Sequence, residues 1–478
     1  MMMKNKIILI LALFIISITA CKKQLNTIPE GAISDLNTFE KVKIAVIGCY
    51  QGFKSDSYYN SPSASGAANG WSALPDLMGD DFVETLTSLG NWRTASEMTY
   101  NEDYSIAQGL YQQPYEIISR ANNILNALVQ YENSTITATE AKIVKAQMLA
   151  IRAHAHFDMM RYFASEFARN STALGVPYVI LFDPQKPLSN LPSRNTIKEN
   201  YDKIFEDLNN SILLFRQGGN TKNNDSRNFI DSTVVYAMRA RVNYYASQWG
   251  AALADANVVI ASNPLANAVK YVEMYTKEGE ATPPSEVLWA IPSDNALTPG
   301  GATNGGGGNY RVATPMSNII SGLGGAYNNP AIVTRITDAG FESCESRKYA
   351  GIKSFKVYRT AEMTLIKAEA EQRLGNEAIS LITLNSLRTN RDVTVGTETG
   401  STLLDAIALL RRVELLGEGH RWFDIKRTTK TINRSECGSS GNSLSNICSV
   451  AASSNNWSFP IPFNEIKANP NLVQNPGY

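Results

Sequence analysis

Apolar residues in the stretch 139–164 recur every three or four positions. Ile143, Ala146, Ala150, Ala153, Phe157, Met160 and Ala164 fall on one stripe of a helix. Thr137 and Glu140 stand just ahead of it with capping-box spacing. Thr196 and Glu199 repeat the device before Ile197, Tyr201, Ile204, Leu208 and Ile212. Thr402 and Asp405 form a weaker version before Ile407, Leu410 and Glu414. The pattern predicts a mainly α chain.

The stretch 360–391 is more specific. Met363, Ile366, Ala370 and Leu374 make a helical face that stops at Gly375. Asn376 is placed to cap a second helix carrying Ile379, Ile382 and Ser386. A helix, a Gly-Asn break and a helix form a hairpin, and 374–378 resembles the turn of a tetratricopeptide unit. No strict period repeats, so the hairpins are degenerate. This hairpin and helices between 195 and 260 are expected to stack against the helix at 139–165.

Two long irregular stretches interrupt the helices. Residues 51–99 are rich in Gly, Ser, Asn and aromatics. Residues 281–329 hold a short strand candidate at 286–291, with Trp289 in its apolar run, and then a glycine-rich run. Loops of this length in a compact protein usually serve a function.

The first residues read as an export signal. Lys4 and Lys6 precede an apolar run at 7–18, shorter than the ~20 residues of a membrane-spanning helix. Ile18, Thr19 and Ala20 then lead to Cys21, in the manner of a bacterial lipobox. We expect residues 1–20 to be a signal peptide, Cys21 to carry lipid, and 21–35 to be a tether. No later segment reads as membrane-spanning.

The chain has 478 residues and a formal net charge of zero. That balance argues against nucleic acid as a partner, because no basic excess exists to neutralise phosphates. Of the remaining cysteines, Cys437 and Cys448 flank a Gly/Ser/Asn-rich loop and are expected to pair. The pairing of Cys49 and Cys344 is left open. His154 and His156 stand two apart on a helix and face different ways, so no metal site is expected. Gly300 to Gly308 lacks the Lys-Ser/Thr of a phosphate loop. No cofactor is expected. Asp80 and Asp81 are adjacent, which does not suit the facing carboxylates of a glycosidase.

Several segments together resemble the SusD/RagB family of Bacteroidetes outer-membrane lipoproteins. Early segments are Pro29, Ser34-Asp35, Phe39 and Gly48-Cys49-Tyr50, then Leu110-Tyr111 and Ala121-Asn122. Arg152-Ala153, Phe157, Arg161-Tyr162-Phe163 and Val176-Pro177 follow. The most specific are 411–415 with 418–427, and the ending Pro460-Ile461-Pro462, Asn469-Pro470-Asn471 and 474–478. Lys22-Lys23-Gln24 depart from the acidic residues that often follow the lipidated cysteine of surface-exposed members.

The resemblance implies degenerate tetratricopeptide-like hairpins with long irregular ligand-binding loops and a few short strands. It implies an N-terminal region at 36–230 and a C-terminal region at 231–478 in one body. It also implies a protein that is not an enzyme. Such a protein would sit at the cell surface and capture glycans or peptides for a SusC-type TonB-dependent transporter. Ligand residues would come from the two loop regions: Trp71, Asn91, Trp92, Arg93 and Tyr100, with Asn309 and Tyr310. The charged motif 418–427 reads as a buried ion-pair lattice. A tetratricopeptide-like interaction scaffold and, less so, a glycoside hydrolase are the competing functions.

Overall fold

The computed structural model describes residues 35–55, 57–59, 70–88, 90, 92–132, 137–182, 191–219, 227–277, 286–292, 310–338, 341–350, 353–438 and 443–478. The first elements are α1 (Phe39–Gly52), α2 (Leu74–Leu77), β1 (Phe82–Glu84) and α3 (Arg93–Ser96). Five longer helices follow: α4 (Ser105–Leu128), α5 (Ala138–Phe163), α6 (Ile197–Gly218), α7 (Ser232–Tyr245) and α8 (Trp249–Ser262). Then come α9 (Ala268–Thr276), β2 (Val287–Ile291), β3 (Tyr310–Val312), α10 (Thr314–Leu323), β4 (Val333–Asp338), β5 (Phe341–Ser346) and β6 (Phe355–Arg359). The chain ends with α11 (Thr360–Arg373), α12 (Glu377–Thr389), α13 (Gly400–Glu414), α14 (Arg421–Arg427), β7 (Ile432–Asn433), β8 (Ser449–Val450) and α15 (Phe463–Ala468). It is mainly helical, as the periodicity predicts.

Helices α4 to α8 pack serially, each on its neighbour, and α8 then packs on α11. The α11–α12 hairpin turns at Gly375, whose φ of 83° is a left-handed conformation natural to glycine. Its main neighbour is α8, not α5 as expected. α6 does pack along α5. The α12 stripe is also corrected: Ile379 and Ile382 are 52% and 69% exposed, whereas Ser380, Thr383, Leu384 and Leu387 are buried. Periodicity shows which residues share a face but not what that face meets.

Capping follows the sequence unevenly. Thr196 and Glu199 make both bonds of a capping box on α6. Thr137 precedes α5 without a side-chain cap bond. On α13 the cap is Thr399, with Thr402 as its reciprocal partner, so the cap lies three residues before the expected one.

Helix α5 is the centre of the molecule, and from Met148 to Phe163 nearly every residue is buried. Its polar side chains are therefore partnered. Asp158 accepts from the Tyr58 and Tyr59 hydroxyls at 2.8 and 2.9 Å and pairs with Arg161. His156 has its Nδ1 2.8 Å from the Arg152 carbonyl and its Nε2 3.0 Å from the Val179 amide nitrogen. Only a neutral ring, donating from Nδ1 and accepting at Nε2, makes both bonds.

The 418–427 motif is a buried lattice, as its alternating charge suggests. Glu418 receives Arg359 at 2.8 Å and Lys348 at 2.6 Å. Arg391 bridges Glu286 and Glu414, each at 2.9 Å. Arg427 pairs with Glu369, and Arg421 with Asp80. Gly419 sits at φ 78°, where a Cβ would lie 2.0 Å from the Trp71 carbonyl oxygen. Its amide donates to Asp76, which also accepts from the Arg421 amide. The motif thus clamps the segment that leads into β1.

The strands form a small antiparallel sheet in the order β1-β3-β5-β4 and two pairs, β2-β6 and β7-β8. Trp289 on β2 is fully buried, as expected from its apolar run. One contiguous cluster of buried side chains runs from Leu36 to Leu472. Among the described residues, no helix is long and apolar enough to cross a membrane.

Candidate functional site

The short strand β1 pairs with β3 in the register Glu84↔Tyr310, Val83↔Arg311 and Phe82↔Val312. That register brings the two loop regions together. Trp92, at the start of α3, lies against Tyr310 with ring centroids 6.2 Å apart and planes at 54°. The Tyr310 hydroxyl is 3.1 Å from the Ser96 hydroxyl. One aromatic anchor is therefore held in place by another.

Arg93 follows directly. Its Nε and Nη2 donate to Glu84 at 2.8 and 3.1 Å. The Glu84 side chain is fully buried, and the Arg93 side chain is 36% exposed. Ser88 also donates to Glu84, at 2.7 Å. A buried carboxylate thus fixes one edge of a half-exposed guanidinium. Glu84 and its hydrogen bonds raise the Arg93 pKa further.

The segment 434–448 braces this face from behind. Cys437 and Cys448 form a disulfide, with Cα atoms 5.4 Å apart, as the spacing predicts. Asn446 donates its amide to Glu97 at 2.6 Å, and Leu444 donates its amide to the Glu84 carbonyl at 3.4 Å. Arg434 donates to the carbonyls of Met78, Gly79, Ser96 and Ile447. Glu436 accepts from Arg311 at 3.2 Å and from the Thr314 amide at 2.6 Å, where it caps α10. Cys49 and Cys344 are both buried and free, so the pairing left open does not form.

The predicted ligand residues divide sharply. Trp92 and Arg93 stay partly accessible and adjacent. Trp71, Tyr100 and Tyr310 are only 2%, 4% and 2% exposed and offer no free ring face, which corrects the sequence expectation. Trp71 stacks on Tyr58 at 4.3 Å, and Tyr100 on Phe459 at 4.1 Å. Large rings gain more from burial against other rings than from water, even within a polar stretch of sequence. Asn91 and Asn309 lie outside the described residues, as do Cys21 and the run Gly300 to Gly308. The sequence reading missed Glu84, Glu97, Arg434 and Glu436. They are ordinary charged residues with no motif, and Glu84 gives the one local signal, an acid at the end of a short strand. Among the described residues no cluster of metal-ligating side chains occurs. A separate open cleft of about 420 Å³ lies between α9 and the turn at Gly325, with Asp392 on its rim. It has no aromatic side chain in its lining.

Two family models match the chain. The SusD family model covers residues 332–478, and a model described as "Starch-binding associating with outer membrane" covers residues 56–243. A putative sugar binding protein from Bacteroides vulgatus shares this fold with a TM-score of 0.77 at 23% identity, covering 93% of this chain and all of that one. A SusD superfamily protein from Bacteroides thetaiotaomicron gives 0.77 at 22% identity, covering 92% of this chain and 100% of that one. SusD-like protein P38 of Formosa agariphila is 35% identical over 86 residues, a match that spans 16% of this chain and 17% of that protein. The fold is the tetratricopeptide-like helical fold of these structures. The chain belongs to the SusD/RagB family.

Proposed function

We propose that this protein is a nutrient-binding lipoprotein of the outer membrane. It captures glycan chains at the Trp92–Arg93 face and passes them to a SusC-type TonB-dependent transporter. It is not an enzyme. Its lipid anchor is Cys21, and the face looks outward from the cell. The observation that carries this reading is one pairing. A partly accessible indole rests on Tyr310, and the next residue's guanidinium is held through Nε and Nη2 by Glu84, the partner of Tyr310 across β1 and β3. Indole faces cover the C–H faces of sugars, and a positioned guanidinium donates to hydroxyls. A site with so few anchors binds in the micromolar to millimolar range, roughly 4–8 kcal/mol. The family description and the sugar binding neighbour support the ligand class.

Isothermal titration of wild type and Trp92→Ala against glycan and peptide panels tests it. The substitution should weaken capture by ~1–3 kcal/mol with the fold intact. Unchanged affinity for a ligand that wild type holds would move the site elsewhere.

A second reading has an observation of its own. Leu374, Ile379 and Ile382 leave an apolar surface exposed on the α11–α12 hairpin, as an interaction scaffold would. Ile379→Ser with Ile382→Ser should then abolish a protein contact in membrane pull-downs while glycan binding persists.

A further inference from the structure

We infer that the chain captured at this face is an electrically neutral glycan, not a sulfated or uronic-acid polymer. The inference rests on the capture reading and adds the charge class of its ligand. A polyanion needs cations whose charge is not already cancelled. Arg93 is the half-exposed cation beside Trp92, and the buried Glu84 carboxylate lies 2.8 Å from its Nε. At that distance the pair presents almost no net charge to a ligand. Behind it, Arg311 and Glu436 are both buried and paired. Arg434 commits Nε, Nη1 and Nη2 to backbone carbonyls, with Asp80 and, less strongly, Glu97 near enough to act on it. Arg93 and Arg311 are thus matched one to one by Glu84 and Glu436, and Arg434 spends its donors on backbone carbonyls.

The flanking sequence adds no cation. Residues 85–92 and 437–448 contain no charged residue, and 292–310 contain Asp294 but no Lys or Arg. Among their described residues, Thr85, Thr87 and Ser88 are polar and uncharged. On Arg93, Nη1 has no partner among the described residues. It carries two N–H groups, which suit the hydroxyl oxygens of a sugar. The face therefore offers an aromatic plane and a neutralised fork.

Immobilised polysaccharides test the proposal with the mature protein. The neutral set is starch, laminarin and xylan; the anionic set is alginate, polygalacturonate and carrageenan. Retention is measured at about 50 mM and about 500 mM NaCl, which shrinks the screening length severalfold. Wild type should be retained by a neutral polymer, with less than about twofold change between the two salts, because little net charge is there to screen. Trp92→Ala should lose that retention. Glu84→Gln leaves Arg93 uncompensated and, if its unfolding temperature holds, should gain about fivefold for alginate. A folded Glu84→Gln without that gain overturns the charge argument. Wild-type selectivity decides the matter even if the variant does not fold. Salt-sensitive retention of wild type on an anionic polymer, lost in Trp92→Ala, overturns the neutral class and leaves the capture reading standing. Capture of a peptide in place of any glycan, lost in Trp92→Ala, does the same. No retention of wild type by any polymer or peptide brings down the capture reading, and this inference with it.

Discussion

Tyr310 supports Trp92: their ring centroids are 6.2 Å apart, and the tyrosine is buried while the tryptophan is not. The two residues come from loop regions more than two hundred positions apart, joined by the β1–β3 register. A buried ring that fixes an accessible one acts on the ligand without touching it. Tyr310→Phe keeps the ring and loses only the contact with Ser96, so it should cost about 1 kcal/mol of stability. Tyr310→Ala removes the support and should cost about 3 kcal/mol or more. Urea unfolding of both variants checks this, and equal costs would contradict the packing role.

Arg391 contacts Glu286 and Glu414, and all three side chains are fully buried. Removing one partner leaves buried charge uncompensated. Arg391→Met should therefore cost about 3–5 kcal/mol, read as a lowered denaturation midpoint. A loss under about 1 kcal/mol would mean the carboxylates find other partners or take up protons.

Acid should unfold the protein partly through its histidines. Burial pushes His156 down to about 3 and His154 to about 4, from an ordinary value of 6.5. Their folded values are depressed, so the stability they contribute is present above pH 6.5. It is lost as pH falls toward 4 and 3. Protonating Nε2 of His156 would also break the bond from the Val179 amide. Asp76 runs the other way: burial raises it to about 7, so its contribution is lost as pH rises from about 4 to 7. The difference between wild type and His156→Gln isolates the first effect. The unfolding temperature of the variant should fall less between pH 6.5 and 4. Parallel curves would show that His156 is not the titrating group.

The Cys437–Cys448 bridge joins residues 11 positions apart and closes a loop that touches Glu84 and Glu97. In the chain-entropy model such a closure contributes about 3 kcal/mol. Reduction, or Cys437→Ser with Cys448→Ser, should speed amide exchange at 82–97 and 434–450 more than in α5. Uniform acceleration across the chain would mean the bridge has no local role at the site.

Cys21 is expected to carry the anchor. Cys21→Ala should release the mature protein from membranes, measured by fractionation in cells lacking the partner transporter. Retention on the membrane under those conditions would point to another attachment.

The sequence by itself determined the helices, the hairpin turn at Gly375, the strand at Trp289, the disulfide and the family. These depend on neighbours within a few turns, on a loop short enough to close, or on motifs that persist in the chain. It also marked the 418–427 motif as a buried lattice, because alternating charge in a helical stretch must be paired if it is buried. Tertiary structure decided which rings were free. Trp71, Tyr100 and Tyr310 lie in polar, glycine-containing sequence like Trp92, yet each meets another aromatic from a distant segment, Tyr162, Phe459 and Trp92 in turn, and is enclosed. It also turned Ile379 and Ile382 outward, since helical period assigns a face but not its neighbour. The partners Arg311 and Glu436 stand 125 residues apart, and Arg359 and Glu286 stand 73 apart. Such pairings are chosen when separate elements pack and leave charge nowhere else to go, so no local pattern announces them.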